Sequence, residues 1–311
     1  MANETTFAAL ADVTVSAALH AELQLKLADR ADLMGHPSLA YIGSITGTGS
    51  NVRKGPIWGG GTDQMAAVAD GVAVANTSVT NASVSVTVGR QALQRSATDL
   101  AAMTWAFASP AALVEQLATD MVTAARMRFT TMLTVVTAAF TATAGVTNVA
   151  FSVTNLFTAI GLLQIASAPG PYVLILAPIQ LNHLQASLRA ELGALQFIPA
   201  TPELMAAKGQ GYVGRFLNID IYVSTTVPTA NAGIDRAGGL FSYGAVAYAD
   251  GVPGIVTGAG GLVIPVDQRA KIYVELSRDS SGAMTKVVGN FFAGVAVAQQ
   301  GLGVSVITKA T

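Results

Sequence analysis

The sequence predicts an α+β protein, and three observations support this class. Strand patterns dominate residues 41–90 and 251–311, a helix of about thirty residues follows Pro110, and helices alternate with strands over residues 150–250. No internal repeat of about 20 to 50 residues is present, which argues against a solenoid or a propeller. We therefore expect sheets and helices that are contributed by different segments of the 311-residue chain.

The composition is poor in charge and excludes several classes of protein. Charged residues make up 11% of the chain, against about 25% in an ordinary soluble domain. With 17 basic and 18 acidic residues, the chain lacks the positive surplus that a nucleic-acid binder needs. The 51% hydrophobic content excludes disorder, and the absence of cysteine excludes a disulfide scaffold. So few charges predict that much of the surface is buried against other copies or against lipid.

Burial in lipid is the less favoured of these two alternatives. No Asp, Glu, Lys or Arg lies between Phe129 and Leu188, but threonines, asparagines and two prolines interrupt this stretch. A membrane helix needs about 20 consecutive apolar residues, whereas the purest run, Tyr172–Ala177, has the length of a buried strand. The N-terminus also lacks the basic and apolar regions of a signal peptide. A membrane or surface-layer protein therefore remains only a minor alternative.

Residues 1–40 are predicted to form an arm rather than a domain. Within them, 17–34 has the pattern of an amphipathic helix that Gly35 and Pro37 bring to an end. Its leucines recur at every fourth position, at Leu19, Leu23 and Leu27. We expect this face to pack against a neighbouring element of the same chain or of another subunit.

Residues 41–90 are predicted to form a long hairpin with a glycine-rich connection. Apolar and polar residues alternate strictly near its end, which indicates a strand with one apolar face. The apolar positions are Val84, Val86 and Val88, and the polar positions are Ser83, Ser85 and Thr87. The glycine run at 59–61 lacks the Lys-Ser/Thr of a phosphate-binding loop, so phosphate binding is not expected there.

A short helix over 97–107 and then a long helix are predicted to follow the hairpin. Ser109 suits the N-cap of the long helix and Pro110 its first position. The apolar stripe continues to about Phe140, and a helix of about thirty residues spans about 45 Å. This length predicts a spine that is longer than a compact domain requires.

The remaining pattern predicts mixed structure over 150–250 and strands over 251–311. The predicted helices are 152–168, 178–192 and 202–208. The predicted strands are 172–177, 214–224, 240–248, 272–277, 286–292 and 303–308, with a loop over 228–239 and a turn over 279–282.

Enzymatic chemistry finds little support in these residues. The only histidines are His20, His36 and His183, and none lies at a metal-binding spacing from another ligand. No Gly-x-Ser-x-Gly motif for a nucleophile is present. We therefore expect no catalytic residues, no cofactor and no metal.

The order of the predicted elements resembles the HK97-like major capsid proteins of tailed double-stranded DNA bacteriophages. Several stretches carry the resemblance. They are 84–96 (VSVTVGRQALQRS), 214–228 (GRFLNIDIYVSTTVP), 239–248 (GLFSYGAVAY), 271–276 (KIYVEL) and 291–295 (FFAGV). These patterns are diffuse, but together with the element order they cover residues 40–308.

The resemblance implies a division of the chain into four parts. Residues 1–40 would be the N-terminal arm, 41–90 the E-loop, and 150–250 the central A-domain. The P-domain with its spine helix would comprise 91–149 and 251–311.

The resemblance also implies a function and its partners. The chain would assemble with itself, as hexamers and pentamers, into an icosahedral phage head that encloses double-stranded DNA. A portal and a separate scaffold or decoration protein would be further partners, and the near-neutral charge implies DNA that is confined rather than bound. The protein would be assembled in the host cytoplasm and located in the virion capsid, without a membrane. The alternative is an encapsulin-type nanocompartment shell.

Some proteins of this kind crosslink an E-loop lysine to a P-domain asparagine of another subunit, with help from a buried glutamate. Lys54 and Asn290 are the corresponding candidates here, and Glu275 is the candidate glutamate. The reaction would require desolvation to make Lys54 neutral. Most such proteins lack the crosslink, and Lys54 is also explained as a solvated charge beside Arg53.

Overall fold

The computed structural model describes two larger sheets, a two-stranded hairpin and four α-helices. It describes residues 33, 36–58, 81–98, 110–191, 197–209, 211–217, 219–251, 261–266 and 270–311, together with 65, 67, 68, 70 and 72–74. The helices are α1 (Pro110–Ala138), α2 (Val153–Ile165), α3 (Pro178–Glu191) and α4 (Pro202–Lys208). Two short 3₁₀ segments occupy Asn231–Gly233 and Gln300–Leu302.

The first sheet has six strands and is centred on the longest strand of the fold. Its members are β1 (Leu39–Ser44), β4 (Gly89–Thr98), β12 (Val246–Asp250), β13 (Gly261–Val266), β14 (Ala270–Asp279) and β15 (Met284–Val297). The order is β1-β12-β15-β14-β13, and β4 also pairs with β15. The predicted turn at 279–282 joins β14 to β15, and Lys286 Nζ donates to Asp279 Oδ2 at 2.6 Å across this turn.

The second sheet has eight strands in the order β5-β16-β11-β6-β9-β8-β7, with β10 paired to β11. Its members are β5 (Ala142–Ala144), β6 (Tyr172–Leu176), β7 (Phe197–Pro199), β8 (Tyr212–Phe216), β9 (Ile219–Val223), β10 (Thr229–Ala230), β11 (Asp235–Phe241) and β16 (Gly303–Lys309). Strand β6 is apolar throughout because both faces are covered. Val173 and Ile175 join one core cluster, and Leu174 and Leu176 join another.

The hairpin consists of β2 (Val52–Trp58) and β3 (Asn81–Thr87), which pair antiparallel from Val52 opposite Thr87 to Trp58 opposite Asn81. The predicted alternation is confirmed, since the valines of this segment are buried and Ser83, Ser85 and Thr87 are exposed.

Helix α1 confirms the predicted spine and packs against both larger sheets. Its buried apolar residues recur at every fourth position, at Met121, Ala125, Phe129 and Leu133. The rings of Phe129 and Tyr248 of β12 pack edge to face, with their centroids 5.8 Å apart. Glycines permit the close approach on each side. A Cβ at Gly289 of β15 would lie 2.6 Å from Met121 Sδ, and one at Gly239 of β11 would lie 2.5 Å from Thr137 Cβ.

Helices α2 and α3 cover the opposite face of the eight-stranded sheet. The α2 N-cap is Ser152, whose Oγ accepts from Asn155 N at 3.3 Å. Gln180 of α3 is fully buried and ties three strands together. Its Oε1 accepts from Ala177 N, and its Nε2 donates to the carbonyls of Arg236 and Val306.

Four predicted elements differ from the structure. The strand predicted over 214–224 is a hairpin of β8 and β9, because Leu217 takes a φ of 51° and the chain reverses with Phe216 opposite Ile219. Alternation on both strands hides this reversal in the sequence.

The strand predicted over 240–248 is also wrong, because it divides between the two larger sheets. Phe241 ends β11 and Val246 begins β12, with Gly244 at a φ of 79° between them. The loop predicted over 228–239 ends early, since β11 already begins at Asp235. The fourth difference concerns β4, which continues through Thr98, where the helix over 97–107 was expected to start.

Two further predictions lie largely outside the described residues. They are the rest of the short helix over 97–107 and the amphipathic helix over 17–34, of which only residue 33 is described.

Candidate assembly elements

The base of the hairpin packs on the six-stranded sheet through an apolar cluster. Val84, Val86 and Val88 lie against Ala247 and Ala249 of β12. Partly buried neighbours of this cluster are Ala40, Ile42, Ile45, Ile57, Phe292, Ala296 and Ala298. The backbone carbonyl of Thr87 lies so close to Gly294 of β15 that a side chain at 294 would not fit. The hairpin is therefore anchored by packing, as expected for a two-stranded element that is marginal alone.

Polar contacts fix the strand that leads into the hairpin. Tyr41 Oη donates to Asp250 Oδ1 at 2.8 Å, and Arg53 Nε donates to the carbonyl of Ile42 at 3.2 Å. Burial raises the pKa of Tyr41, and the adjacent Asp250 carboxylate acts in the same direction. Tyr41 therefore stays protonated and bridges β1 to the end of β12.

The segment between β2 and β3 exposes apolar side chains. Met65 is fully exposed, and Val68, Val72 and Val74 are also exposed. Exposed aliphatic groups at neighbouring positions are unfavourable for an isolated chain in water. They are suited to contact with another protein surface.

The three crosslink candidates lie on two different sheets. Asn290 of β15 is opposite Tyr273 of β14, and Glu275 is opposite Val288. Since alternate residues of a strand share a face, Asn290 and Glu275 lie diagonally on one face of the six-stranded sheet. Lys54 is instead an exposed residue of β2, opposite Ser85.

Asn290 is held by an arginine of the neighbouring strand. Its side chain is 4% exposed, and its Oδ1 accepts from Arg90 Nε at 2.8 Å. Close by, burial raises the pKa of Tyr273, and the Glu275 carboxylate adds to this effect. Asn290 is thus buried and Glu275 half-buried, whereas shielding of Lys54 from water would have to come from a second subunit.

Sequence reasoning missed a charged cluster around a buried carboxylate of β9. Asp220 is 3% exposed, Lys208 Nζ is bound to its Oδ2, and Arg215 Nε lies 3.9 Å from its Oδ1. Lys208 also lies 5.4 Å from the centre of the Tyr212 ring. No sequence signal identifies this cluster, because its members come from α4, β8 and β9 and meet only in the fold.

The structure describes two of the three histidines. His36 lies against Tyr222 with a ring separation of 5.7 Å, and His183 lies on α3. His20 lies outside the described residues. Among the described residues, no three His, Asp or Glu side chains gather into a possible metal site. Within the same part of the chain, none of the helices is both long and apolar enough to span a membrane.

Comparison with solved structures identifies proteins of similar architecture. The capsid of Ralstonia phage GP4 has a TM-score of 0.62 at 12% identity, and the match covers 91% of this chain and 90% of that chain. The capsid of cyanophage P-SCSP1u has a TM-score of 0.56 at 13% identity, covering 88% and 87%. The SrpI encapsulin of Synechococcus elongatus PCC 7942 has a TM-score of 0.56 at 11% identity, covering 86% and 84%.

No family model and no curated protein matches the chain. The likeness is therefore one of structure, and it extends over nearly the whole length of each protein compared. The α+β chain has the HK97-like capsid fold.

Proposed function

We propose that this chain is a major capsid protein that assembles with itself into the icosahedral head of a tailed phage. The observation that carries the proposal is the structural match to phage capsids over about nine tenths of both chains. The role is structural rather than enzymatic. Sedimentation of the purified protein tests it, because a capsid protein is expected to sediment as large particles and a non-assembling protein as a small species.

The division of the chain inferred from the sequence is part of the proposal. Residues 1–40 form the arm, 41–90 the E-loop, 91–149 with 251–311 the P-domain, and 150–250 the A-domain. The sheets do not follow these boundaries. Strands β1 and β12 pair in the six-stranded sheet although β12 lies within 150–250, and β16 pairs in the eight-stranded sheet although it lies within 251–311. Backbone pairing therefore connects the A-domain and the P-domain of one subunit.

The exposed surface supports extensive contact between subunits. Only 11% of the residues are charged, and the segment between β2 and β3 exposes Met65, Val72 and Val74. A subunit that touches several neighbours covers surface that a monomer leaves in water. The proposal includes hexamers and pentamers of this chain as its assembly units.

Other partners follow from the proposed role. A portal and a separate scaffold or decoration protein would contact the shell. With 17 basic and 18 acidic residues, the chain offers little net attraction for DNA, which would be confined by the shell. Assembly in the host cytoplasm and location in the virion capsid belong to the same proposal.

An encapsulin-type shell is the second candidate, because an encapsulin matches with a TM-score equal to that of the cyanophage capsid. The contents of particles isolated from the native source distinguish the two. A phage head is expected to yield nuclease-resistant double-stranded DNA, and an encapsulin shell is expected to yield a protein cargo without DNA.

We propose further that the shell is held without covalent crosslinks. Lys54 is exposed in the single chain, and the Asn290 carboxamide is already bound by Arg90. Assembled particles boiled in detergent are therefore expected to run as a single 31.7 kDa band on a denaturing gel. The Lys54→Arg variant is expected to give the same band. A ladder of multimers that Lys54→Arg or Asn290→Ala removes would instead establish the crosslink.

A further inference from the structure

The described residues of the N-terminal arm lie at its C-terminal end, between α1 and β9. We call residues 33 and 36–38 the arm root. Leu33 is 3% exposed and lines a cavity with Thr130 of α1 and Tyr222 of β9. Ser38 is equally buried, and its carbonyl accepts from Gly244 N at 3.4 Å. The arm root thus connects the arm to both α1 and the second sheet.

His36 holds the arm root in its bent form. Its Nδ1 accepts from Ser38 N at 3.2 Å, and its carbonyl accepts from Leu39 N at 3.0 Å. The His36 and Tyr222 rings pack edge to face, with their centroids 5.7 Å apart and their planes at 86°. Because Nδ1 is the acceptor, the bond to Ser38 exists only while this nitrogen carries no proton.

Among the described residues around His36, no carboxylate is left free to pair with an imidazolium. Asp220 of β9 already pairs with Lys208 of α4 and Arg215 of β8. The other titratable or charged groups on the packed elements are Tyr222 of β9, Tyr212 of β8 and, beside the adjoining cavity, Arg126 of α1. A third cation would therefore join two others around one buried carboxylate.

Burial lowers the pKa of His36 from 6.5 to about 4, with Lys208 acting in the same direction and Asp220 opposing it. The seated arm root therefore binds fewer protons than the released one. The packing of the arm root against α1 and β9 is most stable above pH 6.5, and it weakens as the pH falls from 6.5 towards 4.

We propose that the arm root is an acid-released latch. A proton taken from solvent by His36 Nδ1 breaks the bond to Ser38, and the arm root leaves α1 and β9. Release would free the chain before Leu39 from its contacts with α1 and β9. This device goes beyond shell formation, and it operates in the single chain whether or not shells form.

Hydrogen exchange of the full-length protein tests the latch. The amides of Ser38 and Leu39 are expected to lose protection by about 20-fold between pH 7 and pH 5, after correction for intrinsic exchange rates. His36→Asn retains a side-chain acceptor for the amide two residues ahead but does not titrate in this range. In this variant, the protection of both amides is expected to be the same at the two pH values.

The matched control is His183→Asn on α3, which is expected to keep the acid response of the wild type. A strand of the second sheet, β6, serves as the internal reference and is expected to keep its protection at both pH values. Equal acid response in His36→Asn and the wild type would overturn the latch, since Asp220 or another carboxylate would then be responsible. The ¹³Cε1 shift of His36 in labelled wild type gives a second readout that needs no variant to fold. A midpoint near 6.5 without coupled loss of Ser38 protection would also overturn it.

Discussion

Removal of residues 1–32 is expected to give a folded protein that forms no closed shells. In the proposed role, the arm contacts a neighbouring subunit, so its loss removes contacts between chains and leaves each chain's own cores intact. The deletion ends before Leu33 because this residue is buried against α1 and β9. Sedimentation velocity is expected to show small species only, and circular dichroism is expected to show the secondary structure of the full-length protein.

Substitutions within the arm provide the matched control. Leu23→Ser together with Leu27→Ser removes the predicted contact face and is expected to reproduce the deletion. Glu22→Gln together with Lys26→Gln changes the other faces of the predicted helix and is expected to leave assembly unchanged. Normal shells from the chain that lacks residues 1–32 would refute the role of the arm.

A charge placed under the hairpin is expected to detach it and abolish assembly. Val86 is fully buried in the cluster that joins β3 to β12 and β15. In Val86→Asp, the carboxylate would have no partner in this apolar cluster, at a cost of several kcal/mol. Hydrogen exchange is expected to show loss of protection in β2 and β3, with α2 and β6 unchanged.

Ser85→Asp is the matched control on the same strand. Ser85 is exposed on the opposite face of β3, so its replacement leaves the cluster intact. The hairpin of this variant is expected to keep its protection in the unassembled chain. If Val86→Asp kept both a protected hairpin and normal shells, packing on the six-stranded sheet would not be what anchors the hairpin.

The elements that the sequence predicts best are those with a strong local pattern. The alternation of Val84 and Val86 with serines identifies β3, and Pro110 marks the start of α1. Helix α4 agrees with its prediction at both ends, because Thr201 and Pro202 mark its start and Gly209 follows its last residue. In each case the residues that carry the pattern lie within or next to the element that they predict.

The elements that were mispredicted depend on partners far away in the sequence. Strand β9 is buried on both faces, and its apolar residues continue the alternating pattern of β8. The sequence therefore carries no sign of the reversal at Leu217. The chain changes sheets between Phe241 and Val246, although the local pattern is apolar on both sides. Tertiary packing decides both outcomes, and local propensity is only a weak guide to it.

The candidate crosslink residues were only partly placed by the sequence. Their types could be read from the resemblance, but the shared face of Glu275 and Asn290 follows from the register of β14 and β15. Arg90 comes from β4, two hundred residues away along the chain. The cluster around Asp220 was missed for the same reason, since β8, β9 and α4 meet there only after folding.

Electron microscopy of the purified full-length protein at neutral pH and moderate salt tests whether the chain assembles into a shell. We expect closed icosahedral shells, in which the subunit density shows the long helix, both larger sheets and the hairpin. A preparation that contains only monodisperse 31.7 kDa monomers, with no shells, capsomers or sheets of subunits, would contradict it.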